Sequence, residues 1–117
     1  MKNGINKVTL VGTVGETPRI SEKDGEPFAA NFSLITNETY RDKDGEEVVK
    51  SQWHRIVAWN DLSKIVKNHL IKGDGLYLEG KIATNSWTDK EGNMHFSNEI
   101  VCDSLLFLSP KTDPEVL

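Results

Sequence analysis

Residues 51–59 read SQWHRIVAW, and the rest of the chain is organised around how that stretch is read. Val, Ile and Trp with no Gly or Pro mark a strand, whose side chains alternate between two faces. Trp53, Arg55, Val57 and Trp59 therefore share one face, and His54, Ile56 and Ala58 the other. Two readings compete for the first face. If it is core, Arg55 lies buried between two indoles, although arginine is almost never fully buried without a partner. If it is surface, indole and guanidinium are flat groups on which a nucleobase stacks, and the guanidinium also neutralises phosphate. The second reading accommodates Arg55, and a stacking platform for nucleic acid is the working expectation.

Upstream, residues 28–36 (FAANFSLIT) read as a strand with Phe28, Ala30, Phe32 and Leu34 on what is most simply the core face. It runs on through Tyr40 and Arg41 to a charged hairpin with Asp44 and Gly45 at its tip. Residues 6–14 (NKVTLVGTV) form another strand, in which Gly12 signals a bulge or barrel corner. Residues 19–22 extend briefly before the hairpin pair Asp24 and Gly25.

Downstream, Asn60 or Asp61 caps a helix in which Leu62, Ile65, Val66, His69 and Leu70 fall on one face. Lys67 and Lys72 suit its C-terminal end, and Gly73 stops it. Residues 76–82 (LYLEGKI) resume the sheet with Gly80 as a second bend. Residues 83–88 carry Trp87 towards a turn at 89–92, and 94–108 supply a last strand bent near Asp103 and Ser104. The count predicts an all-β OB-fold: a five-stranded Greek-key barrel over residues 1–108, with one helix between strands 3 and 4. Residues 109–117 are expected to be a short flexible C-terminal tail.

At 117 residues the chain is one domain. Its single cysteine, Cys102, leaves no internal disulfide and no cysteine-cluster zinc site, and fits a reducing compartment. No apolar run reads as a signal peptide or a membrane span. The formal net charge of −4 argues against holding nucleic acid by bulk attraction. Distribution matters more than the sum. Asp42, Asp44, Glu46 and Glu47 crowd one hairpin tip while Arg41, Lys43, Lys50 and Arg55 surround it, so a cationic groove would lean on stacking more than usual. An enzyme is the first competing class, since His54, His69, His95 and Cys102 are bases and a nucleophile. No metal-ligand spacing and no phosphate-cradling glycine loop accompanies them, and no cofactor is expected. Another binding module on the same fold, a carbohydrate binder or a replication-restart accessory protein, is the second; fold alone does not exclude it, but a sugar gains nothing from Arg55 and Lys43.

The segments NKVTLVG (6–12), ANFSL (30–34), YRDK (40–43), WHRIV (53–57), LIKG (70–73), YLEG (77–80), WTD (87–89) and EIV (99–101) fall in one order and spacing. Together they resemble the bacterial and mitochondrial family of single-stranded DNA-binding proteins, over residues 6–108. The resemblance implies sequence-independent binding of single-stranded DNA in replication, recombination and repair, in a bacterial cytoplasm and in association with the nucleoid. It implies base stacking on Tyr40, Trp53, Trp59 and Trp87. It gives Arg55 a backbone or stacking role, with Lys7, Arg19, Arg41, Lys43, Lys50, Lys64, Lys72 and Lys81 as weaker backbone contacts. His54 resembles the family's interface histidine and implies a homotetramer. Two departures stand out. Residues 83–86 (ATNS) hold none of the basic side chains many members carry before this tryptophan. The acidic tip that recruits replication and repair proteins is at best echoed in residues 113–117 (DPEVL).

Overall fold

Two long strands that alternate in and out form the centre of the fold. In the computed structural model, which describes residues 1–108, β3 (Glu26–Arg41) and β4 (Glu47–Trp59) pair antiparallel without interruption from Ala29 opposite Trp59 to Arg41 opposite Glu47. Ala30, Phe32 and Leu34 of β3 and Ile56 and Ala58 of β4 are completely or almost completely buried, which identifies the inward face. The expected tail over 109–117, acidic echo included, lies outside the described residues.

β1 (Val8–Val14) and β2 (Arg19–Lys23) both lie antiparallel along the other edge of β3. Val14 stands opposite Leu34 and Arg19 opposite Asn31, so residues 15–18 span an interval that β3 covers with Phe32 and Ser33 alone. Pro18, which has no N–H to give a ladder, sits in that interruption. β1 also pairs with β5 (Gly75–Thr88), β5 with β6 (Met94–Phe107), and β6 runs parallel to β4 at Ile56–Ile100 and Val57–Val101. The ring β1-β5-β6-β4-β3 thus closes on itself as the expected five-stranded barrel. α1 (Asp61–His69) follows β4 and so lies between the fourth and fifth strands of the chain, not the third and fourth. The difference comes from β2, which continues β1 along β3 after the break and counts as a strand of its own.

The two glycines expected to mark bends sit where backbones meet. A Cβ on Gly12 would collide with the carbonyl of Ile35, and one on Gly80 with the carbonyl of Val101. At Gly80 the β5–β6 register also slips, leaving Asp103 without a ladder partner beside the expected bend at Ser104.

The helix closes one end of the barrel through Val66 and Leu70, with Leu62 packed at the edge of the core. Three expectations for these segments are revised. Ile65 and His69 are exposed while Ser63 is buried, its Oγ donating to the carbonyl of Asn60. No side chain caps the helix: Asn60 adopts φ 54° and offers only its carbonyl, which accepts from the N–H of Ser63 and of Lys64. Phe28 is 40% exposed at the start of its strand, outside the core it was read into.

Candidate nucleic-acid interface

The alternation read from residues 51–59 holds for three of the four side chains on the outward face. Trp53 is 55% and Trp59 46% exposed, and Arg55 is exposed. Val57 is the exception at 2%, lying between Asn31 and Val101. Each indole is thus about half open to solvent, which leaves ring surface on which a base can stack. Among the described residues Arg55 makes no ion pair, so its charge is available to an anion.

Register extends this face across the barrel. One row runs from Arg19 on β2 through Asn31, Val57 and Val101 to Lys81 on β5, putting a cation at each end. Continuing along β5 by twos leads from Lys81 to Trp87, which is 47% exposed on the β5–β6 hairpin arm. Arg41 lies on the same side of the β3–β4 arm as Trp53, its Nη1 donating to the carbonyl of Gly45. The register therefore puts all three tryptophans on the outward side of the sheet.

Tyr40 does not join them. It is 50% exposed, but its register partner is Val48, so it occupies the opposite face of its arm along with Lys50 and Glu38. His54 also points to that side, where Thr36 Oγ1 lies 2.9 Å from its Nε2. Between the two arms β4 and β6 diverge and leave a cleft of about 250 Å3, lined by Trp53, His54, Arg55, Asn98 and Glu99 among others.

The remaining cations divide by their partners. Lys7 pairs with Glu79 at 3.7 Å and Lys64 with Glu26 at 3.3 Å, so both are partly neutralised. Glu79 also accepts from the Tyr77 hydroxyl at 2.7 Å; that bond, with Lys7 beside it, holds the Glu79 carboxyl below its usual range. Lys72 precedes Gly73, whose N–H donates to the carbonyl of Val14, the neighbour of Gly15 against which Trp53 packs. Lys43 is at the β3–β4 tip, where Asp42 Oδ1 accepts from the N–H of Asp44 and of Glu46.

Sequence reasoning missed two features. Phe96, 65% exposed, is a further uncovered ring on the β5–β6 arm, on the face opposite Trp87. His95 stacks directly on Trp87 with ring centroids 5.3 Å apart and an interplanar angle of 20°. A five-residue tip between Thr88 and Met94 would have placed 87 opposite 95, had the hairpin been paired on paper. Among the described residues no group of His, Cys, Asp and Glu could hold a metal ion.

Comparison with known proteins places the chain in a family. Residues 5–108 match the single-strand binding protein family. Single-stranded DNA-binding protein 1 of Chlorobaculum tepidum is 39% identical over 95% of this chain and 69% of its own length. The single-stranded DNA-binding protein of Bacteroides thetaiotaomicron is 43% identical over 92% of this chain and 68% of its own. The structure of a Plasmodium falciparum SSB in complex with ssDNA superposes with a TM-score of 0.81 at 32% identity, covering 93% of this chain and 99% of that one. An uncovered aromatic face on a five-stranded barrel and a sequence match over nearly every described residue lead to the same place: the chain belongs to the single-strand binding protein family.

Proposed function

We propose that this protein binds single-stranded DNA without sequence preference, laying bases on Trp53, Trp59 and Trp87 and the sugar-phosphate backbone along Arg55, Arg19, Lys81 and Arg41. The observation that carries this reading is the set of three half-uncovered indoles on the outward side of the sheet, with Arg55, which makes no ion pair among the described residues, between two of them. Every base has a face to stack, and each stacked base contributes about 1–3 kcal/mol, so affinity accumulates without reading sequence. A duplex hides those faces. The protein is a binding protein and not an enzyme, in keeping with its family.

Tyr40 and Lys50 act on the second face of the β3–β4 arm, where a strand turning round the arm would meet them. Lys43 and Lys72 take adjoining phosphates; Lys7 and Lys64 contribute least, because carboxylates already engage them. The protein serves replication, recombination and repair in a bacterial cytoplasm, in association with the nucleoid. It works as a homotetramer over which one strand passes from subunit to subunit, with His54 at the contact. An outer patch of Val11 and Leu106 on either side of Tyr77 supports association, since both aliphatic side chains are more than half exposed. No helix among the described residues is long and apolar enough to cross a membrane.

The test is a titration of intrinsic tryptophan fluorescence with oligothymidylate and with a matched duplex at two salt concentrations. Strong quenching by the single strand and little by the duplex is expected. Equal quenching by both overturns the reading. Sedimentation as a monomer removes the passage of DNA between subunits and leaves local stacking in place.

A further inference from the structure

Trp87 is backed by a chain of fixed groups. At the tip of its arm the Asp89 N–H donates to the carbonyl of Asn93 at 2.9 Å. Asp89 Oδ1 accepts from the N–H of Glu91 at 2.9 Å and of Asn93 at 2.8 Å. The carboxylate is thereby immobilised by the turn it forms, and its second oxygen, Oδ2, lies 2.7 Å from His95 Nε2. The imidazole so held stacks on one face of the indole, which remains 47% exposed to solvent. Bonding to His95, with help from the tip N–H groups, holds the Asp89 carboxyl below its usual range.

The other arm supplies an internal control. There Asp42 closes the tip with the same three contacts: its N–H to the carbonyl of Glu46, and its Oδ1 to the N–H groups of Asp44 and Glu46. In both arms an aromatic residue stands two positions before the aspartate, Tyr40 in one and Trp87 in the other. Opposite Tyr40 the ladder places Val48, whereas opposite Trp87 it places His95. The turn therefore forms without a histidine, and Asp89–His95 is an addition with a separate task. It occurs in the arm whose residues 83–86 carry no basic side chain, where stacking must supply more of the grip.

We propose that His95, held by Asp89, is a positioning residue for Trp87, keeping the indole flat and one-sided so that a nucleobase of single-stranded DNA stacks on its free face. The inference rests on the proposed function and deepens it. An indole resting on a fixed ring gives up less freedom when a base arrives, so the binding energy is less eroded by ordering. Ring pairs of this kind are worth about 0.5–1.5 kcal/mol, so losing the support predicts an affinity loss of about 2- to 10-fold.

The experiment uses a reporter variant with Trp53→Phe and Trp59→Phe, in which Trp87 is the only tryptophan. His95→Ala in this background is expected to lower the emission anisotropy of Trp87 in the free protein and to weaken oligothymidylate binding by that factor. His95→Phe, which returns a ring to the stack, should restore both. Asp89→Ser keeps an oxygen able to close the turn but removes the partner of His95, and should shift both readouts in the same sense as His95→Ala. Loss of a merely structural contact would move the unfolding midpoint without this pattern of rescue. Unchanged anisotropy and affinity in His95→Ala, or no rescue by His95→Phe, overturns the inference. If the parent protein binds oligothymidylate, such a result leaves the proposed function standing; a parent that ignores oligothymidylate overturns both.

Discussion

Gly15 lies close against the indole of Trp53: a Cβ built on it would stand 2.6 Å from Cζ3 of that ring and 2.8 Å from Cδ1 of Ile35. The missing side chain leaves room for the ring at the point where β1 breaks away from β3. Gly15→Ala should therefore lift Trp53 from its seat and reduce oligothymidylate affinity by up to about tenfold, part of the 1–3 kcal/mol a stacked base contributes. Fluorescence titration reads the loss. Unchanged affinity would mean that the tilt of this ring is immaterial to binding.

Removing the rings outright gives larger effects, graded by face. Trp53→Ala and Trp59→Ala should each weaken single-strand binding by about 1–3 kcal/mol. Because half of each ring is already in water, urea unfolding should shift far less than for a core substitution such as Phe32→Ala, for which about 3–5 kcal/mol is expected. Tyr40→Ala, on the opposite face of its arm, should cost less affinity than Trp53→Ala. The reverse order would place the strand on the Tyr40 side.

Salt dependence separates free cations from engaged ones. Arg55→Ala should make the log-log salt slope shallower by about 0.7, the contribution of one neutralised phosphate in a single strand. Lys64→Ala should leave the slope almost unchanged, because Glu26 already holds that ammonium at 3.3 Å. Equal slopes for the two variants would show that Arg55 touches no phosphate.

Gly80→Ala should destabilise the barrel while leaving the tryptophan surface intact. The added methyl would meet the Val101 carbonyl, and relieving such an overlap typically costs about 1–3 kcal/mol. The urea midpoint should fall, with oligothymidylate affinity kept below the transition. A midpoint equal to that of the parent would mean that β5 and β6 can move apart freely there.

Burial pushes the Cys102 thiol up to about 11, with Asp103 adding to the shift. At pH 8 the native protein should react with a thiol reagent only on unfolding, since the thiolate is the reactive species. The sign of the linkage follows. A raised pKa contributes stability that is whole below the ordinary thiol value of 9.0 and is lost as pH climbs through about 11. Rapid labelling of folded protein at pH 8 would contradict the burial.

The barrel was legible because period-two alternation and two misplaced glycines are local signals. Ala30, Phe32, Leu34, Ile56 and Ala58 are inside as the pattern required, and of the two glycines expected to mark bends Gly80 sits at a register slip while both lie where a side chain would meet a neighbouring backbone. The helix was found, but its face was misjudged at Ser63 and Ile65 by rotation about the axis, which spacing leaves open when apolar residues are few. Val57 was assigned to the open face because alternation says which side a residue takes and not what covers that side.

The sequence by itself determined the barrel strands and the helix after SQWHRIVAW, through periodicity and turn residues, and the outward direction of Trp53, Arg55 and Trp59, through side-chain alternation within one strand. Only the tertiary structure decided that Trp87 shares their surface while Tyr40 does not, that Gly15 supports Trp53, and that His95 stands behind Trp87. Those relationships depend on strand register and on contacts between strands distant in sequence. A shift of one residue in pairing would exchange the faces without altering a letter of the chain.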